Sequence, residues 1–69
     1  MKVRVRWRGF YDNMIHESDI MEKYSEVIKF IIEDIGNPAA LRAYLVDAVT
    51  GEQVSFNDFK NLEEKEHNE

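Results

Sequence analysis

Cysteine is absent and proline occurs once in 69 residues. Without a thiol there is no disulfide framework and no thiolate metal site, so stability has to come from core packing, oligomerisation or a partner. Long apolar runs are missing too. Nothing approaches the roughly 20 residues that cross a bilayer, and alternating charges stand where a signal peptide would carry its apolar centre. The expectation is a cytoplasmic protein in a reducing compartment, with no membrane contact. Glycine-rich phosphate loops and a serine set in a nucleophile turn are also lacking. A chain of this length forms one small domain, burying only roughly 60% of the surface its unfolded form exposes.

What the sequence does have is charge, unevenly placed. The formal net charge is −5. The first ten residues carry Lys2, Arg4, Arg6 and Arg8 and no acid, a formal +4; the rest carry five basic residues against fourteen acidic ones, a formal −9. Such asymmetry bears on steering and association and says nothing about fold.

Periodicity supplies the fold. Val3, Val5 and Trp7 alternate with the cations at period two, which predicts a strand over residues 2–8 with one apolar face and one charged face. The segment DNMIHES then reads as a loop into a helix. Asp19 with Glu22 has capping-box spacing, with Ser18 as the other candidate cap; Gly36 and Pro38 mark the end. Ile20, Tyr24, Val27, Ile28, Ile31 and Ile35 make one stripe, widened by Met21 and Ile32, and Phe30 lies off it. Next, LRAYLVDAVTGEQVSF reads as a hairpin turning at Gly51. Either Tyr44, Val46 and Ala48 or Ala43, Leu45 and Val49 face the core in its first strand, and Asp47 in the second set favours the first. NDFKNLEEKEHNE can close a short C-terminal helix packing through Phe59 and Leu62. The expected class is α+β in β-α-β-β order: one amphipathic helix on a three-stranded sheet, the first strand at an edge. Residues 1–62 form the domain and 63–69 an acidic, frayed tail.

Two readings compete for the cationic strand. In the first, the charges are solvated and guard a strand edge, partly neutralised across the sheet by acids such as Asp47 or Glu52. In the second, Arg4, Arg6 and Arg8 form a recognition surface, because a guanidinium pairs with carboxylate or phosphate through two bonds at once. Nucleic acid would need phosphates along the row and a base stacked on Phe10 or Tyr11, against the repulsion of the remaining −9. A protein partner fits better, since arginine and aromatic residues anchor interfaces; Phe10, Tyr11 and Phe30 join the three arginines as candidates. Self-association through edge strands is a third possibility, opposed by like charges at the junction. Asp12, His16, Glu17 and Asp19 cluster before the helix, but their spacing matches no metal motif and Asp19 is taken as a cap. The expectation is not an enzyme, with no catalytic residue, metal or cofactor.

The stretch VRVRWRGFYDN, an alternating strand followed by Gly9, the pair Phe10–Tyr11 and Asn13, resembles the opening of the Dmd family, the small antitoxins of T4-like phages that bind and block a host RNase toxin. The resemblance covers residues 3–13 and carries over no functional residue. It implies a protein that inhibits another protein by direct contact.

Overall fold

Alternating residues build strand β1 (Val3–Arg8) at the heart of the computed structural model, which describes residues 1–36 and 42–67. The fold is α+β. Strands β2 (Ile15–Glu17), β3 (Tyr44–Asp47) and β4 (Gln53–Val54) complete a four-stranded antiparallel sheet in the order β2-β1-β3-β4. Helix α1 (Tyr24–Phe30) runs on into a π-helical turn, Ile31–Ile35, and helix α2 (Phe56–His67) comes after β4. The three expected strands, the main helix and the C-terminal helix are all present. Among the described residues no helix is long and apolar enough to cross a membrane.

The first strand is not at an edge. The expected loop after Tyr11 contains β2, which folds back on β1 as Arg6↔Glu17, Trp7↔His16 and Arg8↔Ile15. That extra reversal also sets the direction of the third strand. Because β2 turns the chain round before the helix, β3 arrives beside β1 but antiparallel to it, with Val5 opposite Leu45 and Arg6 opposite Tyr44. Odd-numbered residues of β1 bond the 14–21 segment and even-numbered ones bond β3, so its backbone groups are satisfied on both sides.

The outer ladder contains one irregularity, and Ser18 resolves it. Val5 accepts from the Ser18 amide (2.8 Å), and Val3 exchanges two bonds with Met21 (2.9 and 2.8 Å). Asp19 and Ile20 therefore stand opposite Arg4 alone, a β-bulge. The Val5 N–H donates to the Ser18 hydroxyl at 2.8 Å rather than to its carbonyl, and the hydroxyl donates to the Asp19 carbonyl. Ser18 is consequently buried as a strand lock, not a helix cap. Residues 19–22 are taken up by this pairing, so the helix starts at Tyr24 and the capping box does not form. The Tyr24 N–H instead donates to the Glu63 carboxylate at 2.7 Å, a cap supplied by α2. The domain boundary expected at residue 62 thus falls inside α2, which continues to His67.

Val3, Val5, Val27, Leu45 and Phe59 form the core, with Trp7, Tyr24, Phe30 and Ile31 packed against it. Leu45 belongs to the set of alternating residues not favoured for burial. Asp47 does not need open solvent, because its carboxylate accepts from the Val49 and Thr50 amides (2.7 and 3.2 Å) in the turn that Gly51 closes at φ 80°. Val46 is only 3% exposed although it lies on the other face, in register between Arg4 and Gln53. Phe59 is buried as expected, whereas Leu62 is exposed. Gly36 ends the π turn at φ 71°; Pro38 lies outside the described residues.

Ser18→Ala strands the buried Val5 N–H, a loss of about 1–3 kcal/mol. In a domain this small each kcal/mol lowers the melting temperature by about 4–8 °C. Thermal unfolding followed by circular dichroism checks this, with the exposed Ser25→Ala as the control expected to stay within about 0.5 kcal/mol of wild type.

Candidate protein-contact surface

Gly9 ends the cationic alternation and begins the turn between β1 and β2. Its N–H donates to the Met14 carbonyl at 2.8 Å, closing a loop over residues 10–13. Asn13 takes the left-handed conformation (φ 56°), which asparagine tolerates better than most residues. One oxygen of Asp12 accepts from the Met14 N–H at 3.0 Å, and the other lies 2.8 Å from His16 Nε2. A Cβ at position 9 would run into that carboxylate and lie 3.0 Å from the His16 ring, so any other residue there has to push Asp12 aside.

The turn is anchored inward as well. His16 stacks on Trp7 (5.6 Å between centroids, planes 26° apart), and Trp7 meets Phe30 edge to face at 5.5 Å. Phe30, off the helical stripe, therefore explains itself as the partner of Trp7. It lies on the helix side of the sheet, away from Arg4 and Arg6, and the structure does not bring it to the candidate surface.

Outward, the same turn presents apolar side chains that are half or more exposed. Phe10 and Tyr11 form an edge-to-face pair at 5.1 Å, and Tyr11 is 96% exposed. Met14 and Ile15 are exposed beside them. These two are not among the candidates that the sequence offers, because MIHES reads as loop. The signal that could have found them is the Asp12–Asn13 turn pair after Gly9, followed by the short alternation Ile15, His16, Glu17.

The cation row shares one face of the sheet with Glu17, Ile15, Tyr44 and Val46. Its acids come from the neighbouring segment, not from the expected Asp47 or Glu52. Glu17 divides its carboxylate: Arg6 donates to one oxygen through Nε (3.0 Å) and Nη2 (2.7 Å), while Arg4 Nε lies 3.6 Å from the other. Arg4 also donates to the Ser18 carbonyl at 3.2 Å, and Lys2 lies 3.9 Å from Glu22. Glu17, then the Tyr44 hydroxyl, hold the Arg6 guanidinium above its ordinary pKa. Arg8 differs, since its nearest groups are the Asn13 carbonyl (3.0 Å) and side-chain amide oxygen (3.5 Å). Among the described residues two acids pair with these four cations, so the row keeps a formal excess of positive charge there.

Of the acids and histidine weighed as a catalytic group, Asp12 and His16 meet, but Glu17 turns to the arginines. Among the described residues no three His, Cys, Asp or Glu side chains converge to hold a metal. The Met14 N–H, then His16, hold the Asp12 carboxyl below its usual pKa. A carboxylate depressed by folding stabilises the folded state above its unfolded pKa and ceases to do so as pH falls through its folded value. The advantage of wild type over Asp12→Asn in urea denaturation is therefore expected to be present above the ordinary carboxylate range, about pH 4, and to decline as pH falls through and below it. Comparison with protein-family models, curated proteins and solved structures gives no match to the chain.

Proposed function

We propose that the chain is a small cytoplasmic protein-binding module, an inhibitor or regulator rather than an enzyme, whose contact surface is the tip of the β1–β2 hairpin with the adjoining arginine face. The observation that carries this reading is the coexistence of restraint and exposure at the tip. Asp12, Asn13 and His16 tie the turn to the strands at their hydrogen-bond distances, while Phe10, Tyr11, Met14 and Ile15 stay in water. A fixed loop with exposed aromatics loses little conformational entropy on binding, and aromatic anchors beside arginine are the usual composition of an interface centre. The resemblance of residues 3–13 to antitoxins that block a toxin by contact points the same way.

The engagement of Arg4 and Arg6 weighs against nucleic acid. Phosphates would have to compete with Glu17 for both guanidinium groups, and among the described residues Arg8 is the member of the row that pairs with no acid. It also alters which variants are informative. Reversing Arg4 or Arg6 would set like charges around Glu17 and disturb β2, so the test belongs at the tip.

The combined variant Phe10→Ala and Tyr11→Ala is expected to keep the fold, reported by unchanged Trp7 fluorescence, and to lose its partner. Immobilised wild type should retain a protein from lysate of its natural setting in a nuclease-insensitive manner, and the variant should not. Once that partner is purified, Tyr11→Ala alone should weaken it about thirtyfold, the scale of a hot-spot aromatic. Retention abolished by nuclease, or undiminished in the variant, would overturn the reading.

A further inference from the structure

The register of β2 shows where its backbone groups go. Gly9 with Met14 and Val5 with Ser18 are hydrogen-bonded pairs, which places Trp7 and His16 in the same class and leaves Arg8↔Ile15 and Arg6↔Glu17 as the pairs without mutual bonds. The N–H and C=O groups of Ile15 and Glu17 therefore point away from β1, along the open edge of the sheet. That edge is short and ends at the bulge, but β2 contains neither proline nor lysine, and Met14 and Ile15 leave apolar side chains exposed on its two faces. The opposite edge is β4, which is two residues long.

Charge decides what can lie there. On the sheet face next to β2, Arg4 and Arg6 share the single carboxylate of Glu17, and Arg8 has only amide oxygens. A second copy paired β2 to β2 would offer the strand Ile15–Glu17, whose one acid is already engaged by its own arginines, whereas an acidic strand would bring a free carboxylate toward Arg8, which pairs with no acid among the described residues. Glu17 would repel an acid placed opposite itself, so the favoured position is next to Ile15, toward Arg8.

Resting on the protein-binding reading, we infer that the β2 edge accepts an extended, acidic segment of the partner as a fifth strand, hydrogen-bonded to the backbone of Ile15 and Glu17, with an acidic side chain directed at Arg8. The main chain then supplies the pairing and alternate side chains the specificity.

The probe is a capped pentapeptide of alternating threonine and valine with glutamate at the centre, titrated into the ¹⁵N-labelled full chain. The amide signals of Ile15 and Glu17 should move, with half-saturation at about 1 mM, as befits a few backbone bonds. Replacing the glutamate by lysine should weaken binding roughly fivefold, the scale of exposed ion pairing. Two further peptides, N-methylated at one or the other alternate set of residues, separate edge pairing from simple charge attraction without altering the protein. Strand addition requires one set to abolish binding and the other to leave it intact. Equal binding by both, a preference for lysine, or no shift at the β2 amides would overturn the inference. If the combined tip variant loses the natural partner while these peptides leave β2 untouched, the hairpin reading stands and the edge inference falls; peptide binding at β2 with a partner indifferent to the tip gives the converse.

Discussion

The Val5 N–H ends on the hydroxyl of Ser18, and much of the molecule depends on that bond. A buried amide must find an acceptor, and where the chain departs from regular pairing at residues 19 and 20 only a short side chain with an oxygen can reach back. The substitution frees the Ser18 carbonyl, which then receives Arg4. It also holds β2 against β1 long enough for Glu17 to stand between two guanidinium groups. The bulge lets Met21 rejoin Val3, and α1 can start only after that pairing ends.

Magnitudes separate what holds the sheet from what decorates it. Fully burying a valine or leucine side chain contributes about 1.5–3 kcal/mol, and Val3, Val5, Val27 and Leu45 are wholly removed from water. The exposed ion pairs of Lys2, Arg4 and Arg6 each contribute about 0–1 kcal/mol, less in salt. The arginine row is therefore not the source of the fold's stability. Its aliphatic stems have a packing role all the same, because Val46 lies almost fully buried on their face and long cationic side chains cover apolar surface while their heads stay wet.

Much of the fold is written in local pattern. The alternation of Val3, Val5 and Trp7, the apolar spacing from Tyr24 to Ile35 and the turn at Gly51 each correspond to an element in its expected place. What pattern could not carry is the pairing partner. A three-residue strand such as β2 gives too short an alternation to stand out from loop, and without it β1 falls at the edge and the direction of β3 stays open. Ser18 and Glu63 show the same limit: one reads as a helix cap and locks a strand, and the other reads as frayed tail and caps a helix 39 residues away. At the surface, Arg4, Arg6, Arg8, Phe10 and Tyr11 are legible as a group because they are neighbours in sequence. Phe30 misleads because its reason, Trp7, lies across the fold.

A central strand carrying three arginines, with Lys2 just before it, gives an acidic protein one positive face, and its position matters more than its strength. Were β1 at the edge, its charges would repel whatever cation approached the open backbone and hold any anion at the side chains. With β2 interposed, the open backbone belongs to a strand whose only charged side chain on that face is Glu17, already engaged, while Arg8 lies one strand further in, beside the exposed tip. Long-range attraction and short-range pairing are thereby separated by a strand's width. On the proposed reading, the field of the cations would orient an acidic partner at a distance, and the last few ångströms would be left to uncharged groups: the outward amides of Ile15 and Glu17 and the rings of Phe10 and Tyr11. Such a division favours partners that satisfy both conditions, and an anionic surface without a strand or a pocket for the rings would meet only half of the site.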